Sequence, residues 1–211
     1  MINILIADDH PVVRLGLKLI LEKEPDFSIN NQARTAREAL EFVDNIEFDV
    51  VLLDISLPDR NGLDVLHQLK IEHPNIKVLV ISMHSEDLYA VRVLKEGASG
   101  YLTKDSAPED LVKAVRKVAS GGKYVSSSLA EKLAYGLTSD LDRAPDRSLS
   151  NREFQVMCMI ATGKTIKEIS NELYLSEKTV STYRTRILKK MNLRNNAELI
   201  SYSIRNNLIQ V

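Results

Sequence analysis

A chain of 211 residues, 44% hydrophobic and 27% charged, is long for one small domain and suits a medium domain joined to a smaller one. No apolar run approaches the roughly 20 residues of a membrane span. The opening Met1-Ile2-Asn3-Ile4 lacks the basic start of a signal peptide, and the single cysteine, Cys158, cannot form an internal disulfide and reads as ordinary core, so a cytoplasmic protein is expected. The net charge of −1 hides an asymmetry. Residues 1–122 carry 14 Lys+Arg against 20 Asp+Glu, residues 123–147 carry 4 of each, and residues 148–211 carry 10 against 5. An acidic first part and a basic last part predict two domains with different partners, a polyanion being a natural candidate for the second. A solvated charged face is the alternative.

In chain order, apolar runs predict strands at Ile2–Ala7, Phe27–Asn31, Val50–Asp54, Val78–Ser82 and Gly100–Thr103. The first, third and fourth are nearly continuous Val/Ile/Leu, the pattern of parallel strands buried on both faces. The second contains the poor strand formers Asn30 and Asn31 and is expected at a sheet edge. Between the strands, Pro11 suits the first turn of a helix running toward Glu22. Thr35 with Glu38 and Ser106 with Glu109 read as capping boxes, and Gly97 as a helix stop. Strand–helix alternation repeated five times predicts an α/β fold with a doubly wound parallel five-stranded sheet over residues 1–122. Residues 123–147 read as a linker, with a helix possible over Ser126–Gly136 and a polar stretch, Thr138–Arg147, containing Pro145. Residues 148–211 predict an all-α domain of four short helices, with caps at Ser150 (with Glu153), Thr165 (with Glu168), Ser176, and Asn195 (with Glu198).

Ligands of open parallel sheets bind outside the carboxyl ends of the strands. Here those ends carry Asp8-Asp9, Asp54, Ser82 and Thr103-Lys104. Clustered carboxylates require a cation to offset their repulsion, and a hard divalent ion such as Mg²⁺ takes oxygen ligands. Lysine is a point-charge partner for phosphate, a hydroxyl can donate to a phosphoryl oxygen, and an aspartate can accept a phosphoryl group covalently. Any one of these residues alone is more simply a turn or surface residue. The joint pattern describes phosphoryl transfer onto an aspartate. None of the four histidines is spaced as a metal pair, and His10 reads as a helix-start residue.

Residues 1–122 resemble a receiver domain of two-component signalling. The matching segments are Ile4-Leu5-Ile6-Ala7-Asp8-Asp9-His10, the stretch from Val51 through Asp54 and Pro58 to Gly62, Val80-Ile81-Ser82-Met83-His84, and Gly97-Ala98-Ser99-Gly100-Tyr101-Leu102-Thr103-Lys104. The resemblance implies a flavodoxin-like strand order of 2-1-3-4-5. It implies that Asp54 accepts a phosphoryl group from a histidine kinase. By the same resemblance Asp9, Asp54 and the Ser56 carbonyl would hold Mg²⁺, and Asp8 would act through water. Lys104 and Ser82 would contact the phosphoryl group, and Tyr101 would change its packing as the site switches. From pattern alone, Tyr101 reads as a half-buried strand aromatic.

In the last third, helices ending near Leu173 and beginning at Glu177 have helix-turn-helix spacing. The second carries Lys178, Arg184, Arg186, Lys189 and Lys190; Val180, Ile187, Leu188 and Met191 should face the core, leaving Ser181, Thr182 and Thr185 exposed among cations. This segment resembles a LuxR-type helix-turn-helix, and the whole chain resembles NarL/FixJ-type response regulators. The resemblance implies base contacts by Ser181, Thr182 and Thr185. It implies phosphate contacts by Lys178, Thr179, Arg184, Arg186, Lys189 and Lys190 on double-stranded DNA, and homodimers through the last helix. Ile166 departs from the polar residue usual at its position, and Asn31-Gln32 from the usual Gly-Glu. The expected function is therefore non-enzymatic: a DNA-binding regulator controlled by phosphorylation. The alternatives are an aspartyl phosphatase or phosphotransferase, whose usual acid two residues after the nucleophile is here Ser56, and a regulator whose basic domain binds a partner other than DNA.

Overall fold

Strands and helices alternate as β1 (Ile2–Ala7), α1 (Pro11–Leu21), β2 (Phe27–Ala33), α2 (Ala36–Asn45), β3 (Val50–Asp54), α3 (Gly62–Glu72), β4 (Lys77–Ser82), α4 (Glu86–Lys95), β5 (Gly100–Thr103) and α5 (Pro108–Ala119). The computed structural model describes residues 1–83, 86–127, 129–131, 145–206 and 208. The chain divides into two units, Met1–Glu131 and Lys132–Val211.

All strand pairs of the first unit are parallel, in the order β2-β1-β3-β4-β5. β1, β3 and β4 are buried along almost their whole length, as their unbroken Val/Ile/Leu runs require. β2 lies at the edge. An extra residue is accommodated where Asn3 pairs with Ser28 but Leu5 with Asn31, so the polar Asn30 sits in a bulge rather than a regular ladder. Because β1 connects outward to β2 on one side and β3 lies on its other side, the strand order reverses between β1 and β3. Their carboxyl ends therefore border the crevice where ligands bind such sheets.

Helix starts follow local chemistry, with two corrections. Pro11 occupies the first position of α1 after His10, and the Thr35 hydroxyl accepts the Glu38 N–H, but the reciprocal half of the expected capping box does not form, because the Glu38 carboxylate accepts the Arg34 N–H instead. Gly97, at φ +95°, follows the end of α4. The capping box expected at Ser106 and Glu109 does not form: Ala107 is the N-cap and Pro108 the first helical residue. Proline fixes the helical φ and has no N–H to satisfy, so the helix begins without a side-chain cap. The Ser106 hydroxyl is instead hydrogen-bonded to that of Thr103 at 3.0 Å.

After α5 the chain turns at Gly121 and returns along the outer edge of β5. Tyr124 N–H donates to Ser99 O at 2.9 Å, Tyr101 N–H donates to Tyr124 O at 3.3 Å, and Gly100 and Tyr124 form a parallel bridge. A Cβ at Gly100 would lie 2.6 Å from Tyr124 O, so only glycine permits this approach. A helical turn starts at Ser127 and Leu129 is buried. Residues 132–144, which contain the rest of the helix expected over Ser126–Gly136 and most of the polar stretch, lie outside the described residues.

In the second unit a 3-10 turn, Pro145–Ser148, precedes α6 (Asn151–Ala161), α7 (Ile166–Glu172), α8 (Glu177–Lys190) and α9 (Asn196–Arg205). Ser150/Glu153 and Thr165/Glu168 form complete capping boxes. Ser176 and Asn195 each accept an N–H from the first turn. Phe154, Met157, Ile169, Val180, Ile187 and Leu199 form the core, and Cys158 is buried as expected. The turn between α7 and α8 places Tyr174 at φ 53°, an uncommon backbone state for a bulky residue.

Candidate phosphoacceptor site and nucleic-acid interface

The topology brings Asp8, Asp9, Asp54, Ser82 and Lys104 to one crevice. Asp8 and Asp54 are 2% exposed. The Lys104 ammonium lies between them, 2.6 Å from Asp8 Oδ2 and 2.7 Å from Asp54 Oδ2. Its backbone is held in place as well, since Lys104 N–H donates to Ser82 O at 2.8 Å. The other oxygen of Asp54 accepts the Ser56 N–H at 3.1 Å, and the other oxygen of Asp8 accepts the His10 N–H at 2.8 Å. Asp9 is partly exposed, with Oδ1 2.7 Å from His10 Nδ1. His10 otherwise acts as the N-cap residue of α1.

Burial pushes the Asp54 carboxyl above the usual carboxylate range. The nearby Lys104 charge opposes that rise and Asp8 adds to it. Burial works against the Lys104 ammonium, but the two carboxylates outweigh it and hold the lysine protonated. One cation thus offsets two buried anions. A carboxylate oxygen from each of Asp8, Asp9 and Asp54 and a ring nitrogen of His10 lie within 4.8 Å of one another. Three carboxylates against one ammonium leave the cluster anionic, and their hard oxygens are the donor set of a hard divalent cation.

Behind the cluster, Ser82 and Tyr101 are completely buried and their side chains share a hydrogen bond. Tyr101 is therefore a core residue and not the half-buried aromatic expected from pattern; its backbone N–H is bonded to Tyr124 O along the β5 edge. Burial pushes its phenol well above the ordinary value, Ser82 opposing and the Glu86 and Asp54 charges adding.

Two contributors to the site, Arg14 and Asp59, were not foreseen, and the tight loop expected between Pro58 and Gly62 is present. Arg14 on α1 is buried, and its guanidinium donates to the Asp8 carbonyl at 2.6 Å. Its one signal in the sequence is a cation on the inward face of an amphipathic helix. Asp59, in the loop after β3, accepts the N–H groups of Ala36 and Arg37 at 2.8 and 3.1 Å, tying that loop to the start of α2. Gly62 N–H donates to Ile55 O at 2.8 Å, which closes the loop that Pro58 and Gly62 bracket.

On α8, Val180 and Ile187 are fully buried, and Leu188 and Met191 nearly so. Ser181, Thr182, Thr185, Lys178, Arg186 and Lys189 are exposed. The hydroxyls of Thr182 and Thr185 donate back to the carbonyls of Lys178 and Ser181. Thr179 is half-buried, its hydroxyl 2.8 Å from that of the N-cap Ser176. Two expected phosphate-contacting cations have internal partners. Arg184 Nε donates to Asn196 Oδ1 at 2.6 Å, and Lys190 Nζ donates to the buried Glu153 at 2.6 Å. Among the described residues, Lys178, Arg186 and Lys189 form no ion pair.

An aspartate–lysine pair at the reversal point of this sheet, on a chain that ends in a helix-turn-helix, defines a signalling receiver coupled to a DNA-binding unit. The description "Response regulator receiver domain" matches residues 4–116, and "Bacterial regulatory proteins, luxR family" matches residues 147–203. The chain belongs to the two-component response regulators that join a receiver to a LuxR-type helix-turn-helix. It is 36% identical over 209 residues to the response regulator UvrY of Escherichia coli (strain K12), covering 99% of this chain and 96% of the relative. With the response regulator GacA of Pseudomonas aeruginosa it is 35% identical over 210 residues, covering 99% and 98%. Among solved structures it resembles RcsB from Salmonella enterica serovar Typhimurium bound to promoter rprA with the phosphomimetic BeF3⁻. There the TM-score is 0.65 at 26% identity, over 96% of this chain and 98% of that one.

Proposed function

We infer that this response regulator is a cytoplasmic transcription factor switched by phosphorylation of Asp54, with a histidine kinase as donor. The observation that carries this reading is the Lys104 ammonium bridging Asp8 and Asp54 at 2.6 and 2.7 Å. In the transfer, an Asp54 carboxylate oxygen forms a bond to phosphorus as the bond from phosphorus to the donor imidazole nitrogen breaks. Lys104, already in hydrogen-bond contact with that carboxylate, supplies positive charge to the new acyl phosphate, and Ser82 supplies a hydroxyl donor. Asp9, Asp54 and the Ser56 carbonyl, with Asp8 through water, would hold Mg²⁺, whose chemistry is to neutralise the phosphoryl oxygens. Arg14 and His10 N–H hold Asp8 in position. The modified aspartate then carries more charge and more acceptors than before, which biases Ser82 and Tyr101.

The second unit binds double-stranded DNA as a homodimer. Ser181, Thr182 and Thr185 face base edges in the major groove, and Lys178, Thr179, Arg186 and Lys189 face phosphates. In the test, an acyl phosphate shifts the affinity of the wild type for a duplex selected by the phosphorylated protein, and Asp54→Ala does not respond. A variant that responds like the wild type would sink the assignment.

The cations divide into two classes with different expected outcomes. Replacing Lys178, Arg186 or Lys189 by Ala lowers the slope of log affinity against log salt by about 1 each, with stability unchanged. Lys190→Ala leaves the buried Glu153 without its ammonium and costs about 2 kcal/mol of stability in the second unit. Salt titrations and thermal melts of the four variants check this division.

A further inference from the structure

A second group of metal-ligating side chains lies at the opposite end of the sheet from Asp54. Asp44 stands near the end of α2, shortly before β3, while Glu72 ends α3 and His73 caps it, shortly before β4. These residues border the amino ends of the strands, and Asp54 closes the carboxyl end of β3. The length of that strand sets the two places roughly 15 Å apart.

His73 Nε2 lies 2.9 Å from Asp44 Oδ1. One carboxylate oxygen from each of Asp44 and Glu72 and a ring nitrogen of His73 all lie within 4.8 Å of one another. Adjacent donors on a small divalent ion, each about 2.0–2.2 Å from it, are about 3 Å apart. The Asp44–His73 spacing already matches such a pair, and Glu72 needs only a small swing. The backbone behind His73 is fixed. Its N–H donates to Leu69 O at 2.8 Å, and the Ile76 N–H donates to His73 O at 3.1 Å, closing the Pro74-Asn75 turn. Lys70 Nζ holds the same turn through Ile76 O at 2.5 Å. Glu72 is oriented too. The Gln68 amide donates to both its oxygens, at 3.1 and 2.9 Å, and Arg60 in turn donates to Gln68. Carboxylates that bind metals are commonly held by such a layer of hydrogen bonds behind them.

The surroundings favour a cation. Glu72 and His73 line a cavity of about 530 Å³, to which Glu47 and Asp49 add carboxylates and, among the described residues, no lysine or arginine contributes. Beside it, Asn3 Nδ2 donates to Glu47 O at 2.6 Å, and Asn3 Oδ1 is buried without a hydrogen-bond partner. An imidazole among carboxylates suits Zn²⁺ and the divalent metals near it better than Mg²⁺ or Ca²⁺, which take oxygen ligands.

We propose that Asp44, Glu72 and His73 form a second metal site, for Zn²⁺ or a similar divalent transition metal, that braces the ends of α2 and α3. The neutral imidazole carries its proton on Nδ1 and offers Nε2 to the ion. The direct Asp44–His73 contact gives way to two bonds to the metal, and water fills the remaining positions. The same two helices flank the loop after β3 at their starts, since α3 begins at Gly62 and Asp59 ties that loop to α2. The ion thus ties together the far ends of the helices that flank the Asp54 loop. No spacing in the sequence announces the site, because Asp44 and His73 are 29 residues apart.

The test is a titration of the full chain with Zn²⁺ in excess Mg²⁺, followed residue by residue in the nitrogen-15 amide spectrum. Saturable changes at sub-millimolar Zn²⁺ are expected at residues 43–47 and 69–76. His73→Gln and Asp44→Asn alter partly exposed side chains and keep a polar group at each position. Each is expected to weaken binding at these residues at least about tenfold. His10→Asn, which removes the imidazole from the cluster around Asp54, is expected to leave the same changes intact. The proposal is overturned by changes confined to residues 8–10 and 54–56, or by no saturable change at residues 43–47 and 69–76. Full affinity in either His73→Gln or Asp44→Asn, or loss of binding in His10→Asn, overturns it equally.

Discussion

Lys104→Met lowers the stability of the first unit by about 3–5 kcal/mol in the absence of divalent cations, because two carboxylates that are each 2% exposed then face each other with no counter-charge. The loss is expected to shrink in two ways. Millimolar Mg²⁺ returns part of it if the cluster binds the ion as proposed, since a ligand that binds only the folded chain stabilises it by mass action. Lower pH returns another part. The Asp54 carboxyl already lies above its ordinary value of 3.8 through burial, and removing Lys104 takes away the charge that restrains it. In the range between the unfolded and folded values the folded variant binds more protons than the unfolded chain, so its stability falls as pH rises and recovers as pH falls through that range. Denaturant titrations with chelator, with Mg²⁺, and at two pH values measure each part. A variant as stable as the wild type in chelator would show that the carboxylates are not held by the lysine.

Gly62→Ala has the second largest expected effect, and it acts through shape. A Cβ at this position would lie 2.2 Å from Asp54 O and 2.6 Å from Ile55 Cα, both backbone atoms that cannot swing aside. The loop must then open, breaking the Gly62–Ile55 hydrogen bond and displacing the backbone that carries Asp54 and Ser56. A cost of about 3 kcal/mol or more follows. Phosphorylation by a small acyl phosphate is expected to be lost even where the variant remains folded, because the proposed Ser56 carbonyl ligand moves with the loop. Wild-type stability and modification would show that the loop has more room than this packing allows.

Much of the first unit can be read from periodicity, because buried parallel strands demand unbroken apolar runs and Val50–Asp54 or Val78–Ser82 admit no other reading. The place of β2 at the edge follows from Asn30 and Asn31. The acid and lysine positions at strand ends are legible for the same reason: strands that end together present their last residues together. Caps at Ser150 and Thr165 are short-range chemistry and appear as spelled. The unread parts all depend on long-range partners. Arg14 holding a carbonyl six residues away, Asp59 capping another helix, and Ser126 reaching Glu86 leave no periodic trace. Arg184 and Lys190 look like their exposed neighbours in a charge count, and only folding shows that Asn196 and Glu153 occupy them. The Ser106 cap failed for a local reason, since the proline that follows Ala107 decides where α5 begins.

The internal anchoring of α8 also bears on the thermodynamics of binding. Lys190 on Glu153 and Arg184 on Asn196 hold the helix at two points on its inner side, while Ser176 fixes its first turn. Much of the ordering that a flexible reader must undergo on its target is then already complete in the free protein. The association entropy of this unit should be dominated by released counterions and water, with little contribution from folding of the helix. In calorimetric terms, the heat-capacity change on binding should correspond to the contact area alone, without the excess that accompanies coupled folding.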